Sequence, residues 1–359
     1  MVRRYETTLR PLLTIAALLT TVSANAAPAS LVPAGAGINA PPGIRADVWA
    51  QLPSPTAFSV DQRGRVWATT SRRSPQPDGA VYVITRQGRP ATPVITGLSR
   101  PLGLVWRGDE LFVSSFGRVD AYAGLKGFAF TRKRTVLIGL PAGTGAAHQN
   151  DGLAVGPRGR LWLGIGAQCN ACAPTSPLEA TIVSFLPSGK GLRIEARGLR
   201  NSYGLAFIPG TNVLLATDNG RDDLGPDLPT EELNRIIPHK HYGYPDCWNQ
   251  GGAPCAGTVP PLAQLAPHAS ADGLAVLSGT WGRRYGISAF IAEFGSTKQP
   301  PTGHDIVRVA LHQRRDRTWA GTATQFATGF TNPLAVTVSP RGLFVGDWTT
   351  GTVYRLRPR

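Results

Sequence analysis

One phrase recurs along this chain, and its repetition constrains the fold more than any other feature of the sequence. Each copy reads as a turn, a Gly or Ala followed by a bulky apolar residue, a short strand, a second turn and a second strand. Six copies start at Pro55, Pro101, Asp151, Tyr203, Asp272 and Asn332. Successive copies begin about 46 to 69 residues apart, and most are followed by a third strand such as GTVYRLR at Gly351.

A sustained period of this length, built from short alternating strands, is typical of a β-propeller in which each repeat forms one four-stranded blade. Six copies predict six antiparallel blades in a single all-β domain over residues 44–359. The early strand that begins at Ile44 is expected to be the outer strand of the last blade and so to close the ring. The longer gap over residues 245–271 is expected to be a loop insertion on one face. A dinucleotide-binding GxGxxG turn is missing.

The N-terminal residues have the order of a secretory signal. Arg3, Arg4 and Arg10 precede an apolar run that is too short to span a bilayer as a mature helix, and Ala24-Asn25-Ala26 follows the run. We expect residues 1–26 to be cleaved after Ala26 and residues 27–43 to form a leader. An uncleaved membrane anchor is the alternative. The expected location is the periplasm or the medium, and no second apolar span appears that would hold the mature chain in a membrane.

Export determines how the cysteines are interpreted, because disulfides persist in oxidising compartments. The chain has four cysteines, and their positions predict two local disulfides, Cys169 with Cys172 and Cys247 with Cys255. A zinc site is the competing interpretation. Its usual form is two closely spaced pairs, which the wider second gap does not match.

The formal charge of +15 raises the question of anionic partners. The Lys and Arg residues are scattered and form no basic helix or run of like charges, so nucleic acid is not expected as a partner. An exported basic protein is better suited to anionic envelope surfaces or small anionic ligands.

Two segments carry the chemistry that the sequence predicts. His148 stands in a polar loop just before the strand of the third repeat, and imidazole is suited to general-base work near neutral pH. Arg200 and Asn201 occupy the same place in the fourth repeat, so His148 and Arg200 are expected to face one channel from adjacent blades. Six of the chain's 22 acidic residues fall between Asp218 and Glu232, which favours a cation site.

Several motifs, in this order and over nearly all of the expected mature chain, resemble the soluble pyrroloquinoline quinone (PQQ) dependent sugar dehydrogenases, in particular the L-sorbosone dehydrogenase-like branch. The shared segments are HQNDGLAVGPRGRLWLGIG with CNAC, GLRNSYGLAF, DNGRDDLGPDLPTEELN, HYGYPDC, FGSTKQPPTGHDIVRV and ATGFTNPLAVTVSPRGLFVGDWTTGTVYRL. The resemblance implies a six-bladed propeller with PQQ and a calcium ion over the channel mouth. The residues that match the family's site are described next.

In that family a histidine takes the proton from the sugar's C1 hydroxyl while hydride passes to the quinone, and His148 is the matching base. The arginine and asparagine beside the quinone match Arg200 and Asn201. The resemblance places the calcium on main-chain oxygens of Gly220 and Arg221, and a second, structural calcium at Glu232 and Tyr242. PQQ is a trianion, so the resemblance implies a basic channel mouth, to which the chain's positive charge would contribute.

The chain departs from this pattern at four places. Ala147 stands where the glucose-oxidising branch has an aspartate, Asn332 lies near where relatives place an arginine against the PQQ carboxylates, and Leu102 replaces a frequent histidine. Lys298 is left as the carboxylate partner in the segment FGSTKQ.

These observations leave three functions open. The first is a periplasmic PQQ and calcium dependent dehydrogenase of a sugar or related aldehyde, with an electron acceptor that the sequence does not identify. The second is a calcium-dependent lactonase that activates water. The third is a non-enzymatic binding propeller that has lost PQQ. The oligomeric state is not encoded in any of these patterns.

Overall fold

The computed structural model of the chain describes residues 30–72, 76–143, 148–248, 255–277, 280–296 and 301–359. The expected signal segment, Ala147 and Lys298 lie outside these residues. Within them the chain is almost entirely β, and its strands form six sheets that follow one another along the sequence and are antiparallel except for one two-residue parallel pair. The predicted six-bladed propeller is confirmed. The described residues include no helix long and apolar enough to cross a membrane.

Three strands precede the first repeat, and the first three blades then follow in order. The early strands are β1 (Val32–Gly35), β2 (Ile38–Ala40) and β3 (Ile44–Gln51). The first blade holds β4 (Pro55–Val60), β5 (Val66–Thr70), β6 (Gly79–Ile84) and β7 (Thr92–Leu98). The second holds β8 (Gly103–Arg107), β9 (Glu110–Ser115), β10 (Arg118–Lys126) and β11 (Ala129–Ile138). The third holds β12 (Asn150–Val155), β13 (Leu161–Ile165), β14 (Thr181–Phe185) and β15 (Arg193–Arg197), with a 3-10 turn at Pro157–Gly159.

The last three blades complete the ring. The fourth holds β16 (Leu205–Phe207), β17 (Leu214–Asp218) and β18 (Thr230–Ile236); the short β19 (Lys240–His241) then pairs with β15 before β20 (Ala263–Pro267) completes the blade. The fifth holds β21 (Ala271–Val276), a short helix α1 (Thr280–Tyr285), β22 (Ser288–Glu293), β23 (Asp305–Gln313) and β24 (Trp319–Thr328). The sixth holds β25 (Pro333–Ser339), β26 (Gly342–Asp347) and β27 (Thr352–Pro358). The gap over residues 245–271 therefore contains a blade strand, β20, as well as loop.

The ring is closed by pairing the two ends of the chain. Strand β3 runs antiparallel to β27 and supplies the outer strand of the sixth blade, as the sequence predicted. Within the stretch expected to be a leader, β1 and β2 extend the fifth sheet through a contact between Asn39 and Thr328 on β24. Pairing a strand from one terminus with strands from the other removes an exposed sheet edge.

The small residue in each repeat is required by the approach of the inner strands to one another. A Cβ atom on Gly152 would lie 2.2 Å from the carbonyl oxygen of Tyr203, and one on Gly204 would lie 2.4 Å from that of Asp272. Gly103 and Gly273 make the same contact with the next blade. Real Cβ atoms do not come this close to backbone, so in these four blades the inner strands can approach one another this closely only with glycine after the turn. The other two repeats have Ala57 and Ala335 at this position.

The core lies between neighbouring blades. In four blades the second strand contributes a fully buried aromatic residue, namely Trp67, Phe112, Phe290 and Phe344. Trp67 packs edge-on against Trp106 of the next blade, with ring centroids 5.0 Å apart. One blade cannot bury both of its faces, so this packing makes each blade depend on its neighbours.

Both expected disulfides are present. Cys169 is bonded to Cys172 and Cys247 to Cys255, and the chain has no free cysteine. The alternative of a zinc site on these four residues is therefore wrong. The first disulfide directly follows β13, at the end of the propeller where the candidate site lies.

Candidate active site

A cavity of about 280 Å³ lies at one end of the propeller axis and is lined from all six blades. Its wall is formed by the loops that precede the inner strands and by those that follow the second strands, with Glu231 contributed by β18. The residues that line it include Ser71, Arg72, Arg100, His148, Gln149, Arg200, Asn201, Asn219, Gly220, Asp222, Glu231, His268, Ser270, Phe294 and Trp348. Its size is at the lower end of the range for small-molecule sites.

The floor of this cavity is a ring of the six residues that immediately precede the small residue of each repeat. The ring consists of Thr56, Leu102, Asp151, Tyr203, Asp272 and Leu334. The Tyr203 hydroxyl donates a hydrogen bond of 2.8 Å to the carbonyl of Thr56, in the blade on the opposite side of the ring. Below it lies a smaller cavity of about 50 Å³ that is lined by the innermost strands of the six blades. Tyr203 therefore closes the channel and makes the cavity a blind pocket.

His148 is fixed by its backbone, while one imidazole nitrogen lacks a partner. Its backbone N–H donates to the carbonyl of Ala167 at 2.8 Å, and its backbone carbonyl accepts from Gln168 Nε2 at 2.8 Å. A Cβ on Gly166 would lie 2.3 Å from His148 Cβ and 2.8 Å from Asn201 Oδ1, so glycine there allows both side chains to pack together. The buried Nε2 atom has no hydrogen-bond partner.

Burial lowers the pKa of His148 to about 3, and the charges of Arg200 and Arg100 add to this effect. The imidazole is therefore neutral at neutral pH. A neutral ring with an unpartnered nitrogen, on the wall of a cavity, is in the state needed to accept a proton.

Arg200 lies on the wall of the same cavity, as predicted, and is only 5% exposed. All five N–H donors of its guanidinium are used. Nε donates to the Asn170 carbonyl at 3.0 Å, and Nη2 donates to the Asn170 side-chain oxygen at 2.9 Å and to the Asp222 carboxylate at 3.0 Å. Nη1 donates to the carbonyls of Asn219 at 3.3 Å and Gly220 at 2.6 Å. The cation is thus held rigidly and contributes its charge from a fixed position.

Asn170 is a residue that the sequence analysis missed. It lies inside the Cys169–Cys172 disulfide loop, and besides Arg200 it binds the Asp222 N–H at 2.8 Å and the Asp223 carboxylate at 3.1 Å. The hydroxyl of Tyr244 donates to the Cys169 carbonyl at 3.1 Å and supports the loop from behind. The CNAC motif was a signal for this residue, but its spacing alone does not show that the loop reaches the neighbouring blade.

Asn201 is held by a buried carboxylate. The N–H groups of Arg200 and Asn201 donate to Asp218 at 3.1 and 2.8 Å, which fixes the loop before β16. Burial raises the pKa of Asp218 to about 7 in spite of these hydrogen bonds. The side-chain oxygen Oδ1 of Asn201 is buried and unpartnered.

The six clustered acidic residues do not converge on one point. Asp222 and Glu231 line the main cavity, Asp223 makes a bidentate ion pair with Arg221, and Asp227 is exposed. Asp218 and Glu232 are cross-strand neighbours on β17 and β18. In the parts of the chain that the structure describes, no three His, Cys, Asp or Glu side chains are arranged to hold a metal ion.

The four residues predicted to hold calcium do lie together, in a second small cavity of about 30 Å³ that Asp218 also lines. Gly220, Arg221, Glu232 and Tyr242 all border it. The Gly220 carbonyl accepts the hydrogen bond from Arg200 described above, and the Tyr242 hydroxyl lies between the Ile237 N–H and the Arg235 carbonyl. Burial raises the pKa of Glu232 to about 8. Their role as calcium ligands stays a prediction.

Two departures from the family pattern fall on described residues. Asn332 does not carry a cation to the cavity; its side chain donates to the Phe294 carbonyl at 2.9 Å and accepts from Thr349 at 2.6 Å. Leu102 forms part of the cavity floor. Arg72 and Arg100, which the sequence analysis did not single out, line the cavity together with Arg200. Phe294 and Trp348 add an aromatic pair to the wall, with ring centroids 5.9 Å apart.

The buried carboxylates predict how stability depends on pH. Burial raises the pKa of Glu231 and Glu232 from 4.5 to about 8. A carboxyl whose pKa is higher in the folded state binds its proton more tightly when folded, so its contribution is present at low pH and is lost as pH rises through the folded value. His148 acts in the opposite direction, but only below its unfolded pKa of 6.5.

We therefore expect the melting temperature of the metal-free protein to fall by about 5 °C between about pH 7 and pH 8.5. Differential scanning calorimetry in the presence of a chelator measures this. The double variant Glu231→Gln, Glu232→Gln should show a flatter profile over the same range. A melting temperature that rises over this interval would contradict the prediction.

No family model matches the chain. An uncharacterized protein from Borreliella burgdorferi is 25% identical over 301 residues, which cover 77% of each chain.

Three solved structures resemble the fold of this chain. The PQQ domain of pyranose dehydrogenase from Coprinopsis cinerea, in its holo form, has a TM-score of 0.75 at 18% identity and covers 91% of this chain and 98% of that chain. The calcium structure of a Trichoderma reesei enzyme of carbohydrate-active family AA12 has a TM-score of 0.73 at 19% identity, covering 93% and 98%. The apo soluble aldose sugar dehydrogenase from Escherichia coli has a TM-score of 0.63 at 18% identity, covering 88% and 100%. The chain therefore has the fold of these pyranose and aldose sugar dehydrogenases, as its motifs implied.

Proposed function

We propose that the chain is a PQQ-dependent oxidoreductase of the soluble sugar dehydrogenase family, acting on a sugar or a related aldehyde in the periplasm. The observation that carries this proposal is the position of His148, whose neutral and unpartnered Nε2 lies on the wall of a blind axial cavity beside a fixed guanidinium. The similar folds of a pyranose dehydrogenase PQQ domain and an aldose sugar dehydrogenase support it.

The cavity wall fits a planar, triply anionic cofactor. Arg72 and Arg100 provide guanidinium groups on the wall, and arginine is the residue best suited to bind carboxylates. Arg200, whose donors are all used within the protein, adds a fixed positive charge. Phe294 and Trp348 provide an aromatic surface. When bound, PQQ supplies a two-electron acceptor for hydride. Calcium fits the oxygen-rich position around Gly220, where it would supply a Lewis acid, and a second calcium at Glu232 would be structural.

The protein residues then have defined tasks. The neutral imidazole of His148 accepts the proton of the substrate hydroxyl at Nε2 as hydride leaves the adjacent carbon, so a hemiacetal is converted to a lactone. Arg200 maintains a fixed positive charge beside the reacting atoms, where low dielectric makes it effective. Tyr203 closes the floor and so excludes bulk water from below. Asn201, with its free Oδ1 next to His148, is available to accept a hydrogen bond from a ligand.

The calcium-dependent hydrolase remains a second candidate, and one observation favours it. Two buried carboxylates, Asp151 and Asp272, face the axis at the cavity floor, where a hydrolase of this shape would hold a metal-activated water. This reading requires no quinone. The expected signal segment and both disulfides support export under either candidate.

Reconstitution distinguishes these functions. Metal-free protein titrated with PQQ and calcium is expected to shift the absorbance of the quinone and to gain dye-linked oxidation of at least one member of a panel of aldoses and aldehydes. Calcium alone should give no oxidation. The absence of both the absorbance shift and activity across the panel would exclude the dehydrogenase. Lactone hydrolysis by the same sample without PQQ would establish the hydrolase instead.

A further inference from the structure

The floor of the axial cavity divides into a half without charged residues and an acidic half. Leu102, Thr56 and Leu334 come from three successive blades of the ring, and Asp151, Tyr203 and Asp272 come from the other three. Asp151 is 2% exposed and Asp272 is 5% exposed. The proposed oxidation uses neither carboxylate. We name Asp151, Asp272 and the two amide side chains beside them, Gln149 and Asn219, the axial floor site.

The unpartnered polar atoms of this site are all oxygen acceptors. Asp151 Oδ2, Gln149 Oε1 and Asn219 Oδ1 are buried and have no hydrogen-bond partner. The amides are oriented by their nitrogens, because Gln149 Nε2 donates to the Arg100 carbonyl at 2.9 Å and Asn219 Nδ2 donates to Asp272 Oδ1 at 2.9 Å. The side-chain oxygens of Gln149 and Asn219 therefore remain available to bind a ligand in the cavity that both residues line.

This chemistry selects the ligand. Leaving a buried carboxylate oxygen and two buried amide oxygens without a donor destabilises the fold, and a bound cation removes that cost. Carboxylate and amide oxygens are the side-chain ligands that calcium prefers, usually completed by water. Ser270 Oγ, which donates to Asp272 Oδ2 at 3.0 Å, fixes the second carboxylate from outside. A nitrogen or sulfur ligand that would favour zinc or copper is not part of this set.

We propose that the axial floor site binds a divalent cation of the calcium class, with Asp151 and Asp272 as charged ligands and Gln149 and Asn219 as neutral ones. The site differs from the positions that the family resemblance gives for calcium, Gly220 with Arg221 and Glu232 with Tyr242. The axial floor site lies below the three arginines of the wall. The charge of the bound cation offsets the negative charges of Asp151 and Asp272. The proposal does not rest on the proposed oxidation.

The test uses the metal-free mature protein without PQQ or substrate. Terbium, which takes the same oxygen ligands as calcium, is titrated while its luminescence is excited through the aromatic side chains, of which Tyr203 lies nearest to the site. We expect the double variant Asp151→Asn, Asp272→Asn to lose at least about 100-fold in terbium affinity. The matched control Glu232→Gln, a carboxylate at the other predicted calcium position, should leave that binding step unchanged, and calcium should displace the terbium.

Circular dichroism establishes that the double variant is folded, and the two single variants, each expected to lose about tenfold, replace it if it is not. A second measurement is the rise in melting temperature on adding calcium, which should largely disappear in the floor variants and persist in Glu232→Gln. Equal terbium affinity in wild type and floor variants would overturn the proposal. So would loss of the step in Glu232→Gln alone, or stabilisation by glucose but not by metal, which would show that the floor oxygens accept sugar hydroxyls instead.

Discussion

Replacement of His148 by alanine is expected to lower kcat for sugar oxidation by about 10² to 10⁴, the usual contribution of a positioned general base. The reason is that Nε2 of this imidazole is unpartnered and, with the pKa lowered to about 3 by burial, unprotonated. Alanine leaves the cavity wall without a base at this position. The measurement is steady-state oxidation of the best aldose at saturating PQQ and calcium, with an electron-accepting dye.

Two comparisons make this result specific. His312→Ala removes an exposed histidine from β23 and is expected to retain wild-type kcat. The absorbance titration with PQQ should give His148→Ala an affinity within about threefold of wild type, because the three cavity arginines are unchanged. If kcat of His148→Ala also stays within about threefold of wild type, His148 is not the base and the proposed mechanism fails.

The fold was accessible from the sequence because the repeat is enforced by backbone geometry. A Cβ atom on Gly152 or Gly204 would clash with the backbone of the next blade, so glycine recurs at this place in four of the six repeats, and the small residue alanine occupies it in the other two. Ring closure by β3 could be predicted for a similar reason: a strand without a repeat of its own needs a partner, and the last repeat lacked one. The pairing of β1 and β2 with the fifth sheet had no such signal, since these strands are only 4 and 3 residues long.

The candidate site was only partly predictable. His148 and Arg200 stand at equivalent points of adjacent repeats, so their meeting at one cavity followed from the propeller. Asp151 and Asp272 also stand at equivalent points, immediately before the small residue, but a single aspartate before glycine is typical of any turn. That both side chains point towards the axis follows only once the six ring positions are placed in the closed propeller. The acidic cluster is divided between two cavities, because Glu231 and Glu232 lie on alternate faces of β18, and the sequence alone does not show this division.

Asn170 shows why a contact between blades is hard to infer. Its oxygens hold Arg200 from a loop 30 residues earlier in the chain, and the loop reaches that position because the Cys169–Cys172 disulfide and Tyr244 shape it. The sequence identifies the disulfide but not the direction in which the enclosed residues point. The same contact makes Asn170 a positioning residue for Arg200, so the loss of the Asn170 side chain should change kcat.

Asn170→Ala is expected to lower kcat by about 10- to 100-fold and to change KM less, because hydrogen bonds to a charged group contribute about 1.5 to 3 kcal/mol. Truncation leaves Arg200 Nη2 and the Asp222 N–H without the oxygen that both now share, while the fold of the blade is retained. Asn170→Asp keeps an acceptor at that point and should recover most of the loss, although it places a second carboxylate beside Asp223. The exposed Asn212→Ala serves as the matched control. A purely structural role would lower the melting temperature of Asn170→Ala and leave kcat of the folded fraction unchanged, and that outcome would remove Asn170 from the mechanism.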